Sequence, residues 1–504
     1  MNYLMDFVLI SLSLPLFITE NYLLITALIP LLSALAISFT SKLPRVNNSI
    51  TVVSSMLLFA YTSLCTLYLV YGDHSQFILM DFGNNLHISL KLESSGAIFS
   101  LLISFLWVLT SVYAICYMRN NYADSNYSSF LCFFSIAISC AMFIAFSGDL
   151  LTTFVFYELL TISTYPLITY NSTNESVIAG RYYFGLLFFS SLTLFFPAIG
   201  LLYNEFHTLD FVRGGILKFD TSFITFIAVC FAMLIYGIGK AALMPMHFWL
   251  PKAMVAPTPV SALLHAVAVV KSGVFIIIKV ILYTFGIDNM QRFAQQSWFA
   301  GGWLPYAAGF TIITASLVAL KQKELKKLLA YSTISQLSYI ILFASIFSEF
   351  SMRVAIFQLV CHAFAKITLF FTAGAIITKT GEKYIDRIHG IGRSMPISMI
   401  AFTIGAFSMI GVPPAPTFWS KFFIFQAIFN SSNVTLSVFV ALVLIVSTIL
   451  NALYFLPIIY NAFFLKPSRN YSIKKTPMLL ILPPVVTAVC TLVIFFSYQV
   501  IFKM

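Results

Sequence analysis

The sequence predicts an all-α, polytopic membrane protein, and three observations carry that prediction. Hydrophobic residues make up 60% of the chain and charged residues only 9%, where a soluble chain carries about 25% charged residues. The apolar residues form repeated runs close to the ~20 residues that cross a bilayer as a helix, without the period-two alternation of a membrane β-barrel. Basic residues cluster in alternate loops, as cytoplasmic loops require. That pattern accounts for the net charge of +11 without invoking nucleic acid.

Taken in order, fourteen spans are expected at 22–40, 50–71, 97–117, 129–147, 149–170, 181–203, 222–242, 256–284, 303–320, 328–348, 353–378, 396–430 (broken), 434–465 and 476–501. Residues 4–19 are apolar but short for a span. They read as an N-terminal extension over 1–21: an interfacial helix, an uncleaved signal-like segment or an over-long start, with no convincing small-residue cleavage site. If 41–49 is cytoplasmic, that side of the membrane receives seventeen basic residues, among them Lys42, Arg45, Lys326 and Arg393. The opposite side receives six, among them Lys91 and Arg213. This asymmetry places the start of the first span and the C-terminus outside.

Five lysines fall in neither set: Lys240, Lys271, Lys279, Lys366 and Lys421. One acid, Glu158 in "FVFYELLTIS", is also at membrane depth. Each such charge costs about 2.5–3.5 kcal/mol at a helix centre on insertion scales, so it should face the bundle interior and serve a purpose there. Lys279 is the exception, near enough to a span end to snorkel. The seven cysteines form no C-x-x-C pair and read as small core residues. No nucleotide-binding glycine motif or metal-ligand set is present, so no cofactor or metal is expected and any redox centre belongs to other chains.

Two spans are interrupted. One break is "LMPMHFWLPKAMVAPTP", with Pro245, Pro251, Pro257 and Pro259; the other is "MIGVPPAPTFWSKFF", with Gly411, Pro413, Pro414 and Pro416. Proline removes a backbone donor and blocks the helix. Unpaired backbone at membrane depth is tolerated only where protein or water surrounds it. Each break adjoins a buried lysine, Lys240 or Lys421, and each holds a Phe-Trp string, "FWLPK" and "FWSK". The breaks lie five spans apart, an odd offset that reverses orientation. That pattern predicts an inverted repeat of helices 4–8 (129–284) against 9–13 (303–465), preceded by helices 1–3 (22–128) and followed by helix 14 (476–504).

Several ordered strings then resemble one family: "HFWLP" with "PTPVSALLHA", "LKKLLAYSTISQLSYI", "CHAFAKITLFFTAGAI" and "GVPPAPTFWSKF". They are similar to the antiporter-like proton-translocating subunits, the large membrane-arm subunits of respiratory complex I and their relatives in Mrp-type cation/proton antiporters and membrane-bound hydrogenases. The resemblance covers about residues 90–465. "MVAPTPVSALLHAVAVVKSGVF" looks most similar to the Mrp D type, and the length suits that type or the shorter complex I subunits. The resemblance implies partner membrane subunits, protons with sodium or potassium as transported ions, and a bacterial plasma (inner) membrane location. It assigns the fifth-span glutamate to Glu158 and the seventh-span lysine to Lys240. It assigns the eighth-span pair to His265 and Lys271, the eleventh-span pair to His362 and Lys366, and the twelfth-span lysine to Lys421. Departures are Lys252, where an acid usually follows "WLP", and Glu93 in "LESSGAIF", where aspartate is commoner.

These residues permit a specific chemistry. A lysine in apolar surroundings holds its proton weakly and a nearby carboxylate strengthens the hold, so Lys240 beside Glu158 is a switchable group. His362 and Lys366 are four apart, on one helix face about 6 Å apart along the axis; His265 and Lys271 are six apart and point about 120° away from each other. The expected chain is Glu158, Lys240, His265 and Lys271, then His362 and Lys366, then Lys421, with hydrated breaks at both ends. Thr161 and Tyr165, on the Glu158 face, read as packing residues. Two other functions remain open on the sequence: a membrane redox protein with His265 and His362 as haem ligands, and a stand-alone secondary transporter.

Overall fold

The computed structural model describes residues 21–71, 76–122, 127–217, 220–429, 433–467 and 477–499. The expected N-terminal extension, apart from residue 21, lies outside the described residues, as do parts of the loops counted for charge. Among the described residues eleven helices are long and apolar enough to span a membrane. They are α1 (Tyr22–Phe39), α2 (Pro44–Leu67, continuing to residue 71), α3 (Ser94–Asn121), α4 (Ser128–Phe146), α5 (Leu150–Ile168), α6 (Asn174–Phe206), α8 (Thr258–Phe285), α11 (Leu325–Ala344), α12 (Glu349–Thr380), α15 (Val434–Phe464) and α16 (Met478–Phe496). Three shorter apolar helices stand among them: α7 (Ile224–Gly237), α10 (Leu304–Leu320) and α13 (Pro396–Ile410). α9 (Ile287–Gln296) and α14 (Thr417–Phe429) complete the set used below.

The centre of the bundle is α12, which packs against α3, α8, α11, α13, α14 and α16. Its start is fixed by a capping box, Ser348 and Ser351 each accepting from the other's backbone N–H, and its end by Gly381 in the left-handed region at φ +72°. α8, α11 and α12 are almost wholly enclosed, whereas α1, α2, α15 and α16 present apolar side chains outward. On α15 the outward stripe is Leu442, Ile449, Leu453 and Leu456, and the inward stripe is Ser447, Asn451 and Tyr454. Both follow helical spacing, apolar toward lipid and polar toward protein.

One element has no counterpart among the expected spans. Residues 77–90 form an antiparallel hairpin, β1 (Phe77–Asp81) with β2 (His87–Leu90). Its turn places Asn84 and Asn85 at φ +54° and +60°, the conformation asparagine tolerates best among residues with a side chain. The hairpin is tied to the N-terminus of α5: Ser89 N–H and Oγ donate to Asp149 Oδ2 at 3.0 and 2.6 Å, and Asp149 caps Thr152 N–H at 2.6 Å.

Lys279 departs from its expected behaviour. It does not snorkel. Its side chain is fully buried, donates to the Ser147 carbonyl at 2.5 Å and pairs with Glu93 at 3.3 Å. α8 runs on through a π turn, Val280–Phe285, beyond the point where the sequence suggests the span is ending. Glu93 (the residue before α3), Ser147 and the Phe211 ring enclose the ammonium.

Candidate functional site

Both expected helix interruptions are present, with different anatomy. α7 stops at Gly237, well before Pro245. Gly237 lies so close to Phe195 that an added Cβ would meet its backbone nitrogen at 2.5 Å, and Gly239 packs equally tightly on Ser190. A single 3₁₀ turn, Gly239–Ala241, then carries Lys240, and Ala242 turns left-handed at φ +56°. The Gly239 carbonyl accepts from the Ala242 N–H at 3.0 Å and from the Trp249 indole at 3.1 Å. Pro245 lies in the turn that follows, with a cis Met244–Pro245 bond, and Pro251 in a short helical turn, Trp249–Lys252. Pro257 and Pro259 do not break a helix. They start α8, Pro259 in the first turn, where a missing N–H costs nothing.

The second interruption is shorter. α13 ends at Ile410, Gly411 caps it at φ +85°, and Pro413, Pro414 (joined by a cis bond) and Pro416 precede α14. Its terminal carbonyls are all engaged: Ser408 accepts from Thr417 Oγ1, Met409 from Gln336 and Asn451 at 3.2 and 3.1 Å, and Ile410 from Lys421 Nζ at 2.7 Å. The shared Phe-Trp string does different work at the two breaks, since Trp419 bonds the Phe495 carbonyl on α16 instead of its own break.

Lys240, Lys271 and Lys366 are fully buried, and Lys421 nearly so. Lys240 Nζ reaches α5, donating to the Tyr157 carbonyl at 2.6 Å and to Thr161 Oγ1 at 2.5 Å, 3.2 Å from the centroid of the Tyr157 ring. Glu158, one residue along the same helix, lies within electrostatic reach of Lys240 but outside ion-pair distance, and both of its oxygens lack a hydrogen-bond partner. The expected Glu158–Lys240 pair is therefore a separated one. Thr161, expected to serve packing, is the side chain that holds the ammonium.

A second cluster brings α8 and α12 together. Lys271 Nζ lies 2.5 Å from His362 Nδ1 and donates to the Leu359 carbonyl at 3.1 Å. Lys366 donates to Ser332 of α11 at 2.9 Å. His265 sits in a π turn, Leu263–Val267, with Ala268 N–H bonding back to the Leu263 carbonyl at 3.0 Å. Such turns gather at functional sites, and this one alters the angle expected between His265 and Lys271. The His265 ring rests on Phe370, 4.8 Å between centroids, and neither ring nitrogen has a hydrogen-bond partner.

The structure thus brings Lys271, His362 and Lys366 together, keeps His265 within electrostatic reach of Lys366, and leaves Lys240 and Lys421 at the two breaks. Lys240 and the Lys271 cluster meet through backbone. Gly273 packs on the Lys240 turn so closely that a Cβ would lie 2.4 Å from Ala241 N. Gly273→Ala is accordingly expected to displace that turn at a cost of about 1–3 kcal/mol and to lower activity although no ionisable group is touched; transport and thermal melting of the variant check it.

Sequence reasoning missed several residues. Lys326, assigned to a cytoplasmic loop, donates to the Ala256 carbonyl at 2.6 Å beside the first break. Ser332 and Gln336 on α11, Gln358 on α12, and Thr448, Asn451 and Tyr454 on α15 surround the second. The signal was available, because Gln358, His362 and Lys366 recur at i, i+4 and i+8, one helix face.

A helical membrane bundle with ionisable side chains buried at its centre and two interrupted helices beside them is a defined class of integral, multi-pass protein. Residues 147–447 match the family "NADH:quinone oxidoreductase/Mrp antiporter, TM", and the chain belongs to that family. It is 30% identical over 356 residues to the chloroplastic NAD(P)H-quinone oxidoreductase subunit 5 of Lotus japonicus, covering 67% of this chain and 45% of that protein. It is 29% identical over 442 residues to a Na(+)/H(+) antiporter subunit, of the A type, from Alkalihalophilus pseudofirmus, covering 82% and 52%. The chain spans about half the length of these curated relatives. Its fold is shared with a chain of the archaeal membrane-bound sulfane sulfur reductase, at TM-score 0.81 and 24% identity over 96% of both chains. A chain of the Mrp complex from Dietzia sp. gives the same TM-score at 18% identity, over 96% of this chain and 95% of that one.

Proposed function

We propose that this chain is a proton-conducting subunit of a multisubunit membrane assembly, passing protons along Glu158, Lys240, His265, Lys271, His362, Lys366 and Lys421. The observation that carries this reading is the Lys271–His362 contact at 2.5 Å inside a fully buried core. Two bases at that separation in low dielectric do not both hold a proton, because like charges repel strongly there. One proton between them has two homes, which is a transfer step. The unpaired buried atoms, Glu158 Oε1 and Oε2, both His265 nitrogens and His362 Nε2, are the positions at which ordered water would link the clusters.

A reading of fourteen spans is supported by the shorter apolar helices α7, α10 and α13 beside the eleven long ones, and the inverted repeat of 129–284 against 303–465 by the lysine at each interrupted helix. The Mrp D type rests on "MVAPTPVSALLHAVAVVKSGVF" alone. Relatives matched over two thirds of the chain or more include an antiporter protein of the A type and quinone oxidoreductase subunit 5. The conclusion is therefore drawn at the level of the family, with an Mrp-type cation/proton antiporter first and a complex I membrane arm second, in a bacterial plasma membrane.

The test is to purify the native assembly through a tag on this chain and identify its partners by mass spectrometry. Small membrane partners without flavin or iron–sulfur subunits establish the antiporter, with sodium or potassium as the ion exchanged. Peripheral NADH-oxidising subunits establish the complex I arm. A chain purified alone that exchanges cations for protons overturns the multisubunit reading.

A further inference from the structure

A cavity of about 740 Å³ opens at one end of the bundle, lined from α9, α10, α12, α14 and α15, and none of the buried lysines or histidines reaches it. Its depth in the membrane follows from the helices that lead to it. α11 starts with Lys326 and Lys327 and ends just before the lining residue Ser345; α12 starts after the lining residue Ser348 and ends with Lys379. The cavity is therefore at the end of the bundle away from the basic loops, on the outer side of the membrane.

The local backbone builds the wall. α9 buries Met290 and Phe293 in the bundle and turns Gln291 and Gln295, neighbours on one helix face, to the cavity. In the turn that follows, the Trp303 N–H donates to the Trp298 carbonyl at 3.1 Å, and Gly302 packs on Trp298 so closely that a Cβ would lie 3.1 Å from its Cα. That turn holds Trp298 at the cavity with its ring open, and Tyr306 stands there too, its ring 4.7 Å from that of Phe439. Gln426 enters from α14.

The lining has a chemical bias. None of its sixteen residues is charged, whereas a phosphate headgroup is recognised by arginine or lysine. The amides of Gln291, Gln295 and Gln426 have no hydrogen-bond partner among the described residues. Each amide donates and accepts, as a pair of neighbouring hydroxyls does, and the electron-rich face of Trp298 attracts the C–H groups of a sugar ring. Next to lining residues in sequence stand Phe299, Phe429 and Val434, which are 70%, 80% and 71% exposed. A soluble sugar would leave them uncovered; acyl chains at this depth would cover them, as aromatic residues at a membrane interface are covered.

We propose that this cavity binds the uncharged glycosyl headgroup of a glycolipid in the outer leaflet. Gln291, Gln295 and Gln426 bond its hydroxyls, Trp298 stacks on a sugar ring, and the acyl chains lie against Phe299 and Phe429. The proposal stands apart from the proton-conducting reading, since it uses no residue of that path. An occupant touches α9 and α14 together, so it is expected to raise the melting temperature, as any ligand of the folded state does.

The test places the native assembly in phosphatidylcholine nanodiscs carrying a minor fraction of either monoglucosyldiacylglycerol or phosphatidylglycerol with the same acyl chains. Retained lipid is read by native mass spectrometry and melting is followed alongside. The wild type is expected to retain the glucolipid in preference to phosphatidylglycerol and to melt higher with it. The combined variant Gln291→Leu, Gln295→Leu, Gln426→Leu, and Trp298→Ala separately, are expected to cut that retention about tenfold or more, the scale of several lost hydrogen bonds or of an aromatic anchor. All four side chains are exposed, so assembly is expected to be normal. Equal retention of the two lipids by the wild type overturns the headgroup class. Undiminished retention in both variants overturns the site. Free maltose that raises melting as far as the glucolipid overturns the lipid as its source. A photo-cross-linker placed at Gln295 that couples to another subunit makes the cavity a protein interface and overturns the proposal.

Discussion

Lys240→Ala is expected to abolish transport while leaving the protein at least as stable as the wild type. The two halves of that expectation have different origins. A fully buried lysine costs about 2.5–3.5 kcal/mol at membrane depth, and here the return is two short hydrogen bonds, to the Tyr157 carbonyl and to Thr161. Glu158 acts on it only at a distance and has no hydrogen-bond partner among the described residues, so the substitution breaks no direct ion pair. A structural lysine would behave in the opposite way, its removal lowering stability more than activity. The proposed proton path would lose its first base, and a loss of about a hundredfold or more is the scale of a missing acid–base group. Vesicle flux and detergent melting on the same preparation separate the two.

Lys279→Met is expected to give the reverse result, a large loss of stability. Lys279 is fully buried, paired with Glu93 at 3.3 Å and bonded to the Ser147 carbonyl at 2.5 Å. Removing one partner of a buried pair leaves the other charge uncompensated, at a cost of about 3–5 kcal/mol. The pair also joins α8 to the N-cap residue of α3, Glu93. The double variant Lys279→Met, Glu93→Leu is expected to recover most of the loss, since replacing both ions with apolar groups of similar size is often neutral or better. Thermal unfolding of the single and double variants measures the recovery. A single variant as stable as wild type would show that the pair contributes nothing.

The two lysines explain what the sequence could and could not disclose. Helical spans were legible because a bilayer admits only long apolar helices or closed barrels. Lys240, Lys271, Lys366 and Lys421 were legible because a charge in such a run is too costly to be incidental. Lys279 was misjudged because its distance from the span end suggested a path to water. What encloses it is Glu93, Ser147 and Phe211, residues far away in sequence. The Pro257 and Pro259 positions show the same limit, since proline at a helix start and proline at a helix break look alike until the flanking backbone is seen. Thr161 was read as packing, and Asn451 and Tyr454 were not singled out, because neutral polar residues are frequent in membrane helices. Only their partners, Lys240 at 2.5 Å and Met409 at 3.1 Å, distinguish them.

The contact between Lys271 and His362 is where the account is most exposed. The decisive measurement is proton flux through the purified assembly in liposomes carrying Lys271→Met, with subunit composition checked to equal that of the wild type. Methionine keeps the length and volume of the side chain and removes the base, so packing is preserved and only the second home of the proton is lost. The account predicts that flux falls to background while assembly and melting temperature hold. Flux at the wild-type level in an intact Lys271→Met assembly would contradict it, because no proton could then be passing through the Lys271–His362 pair.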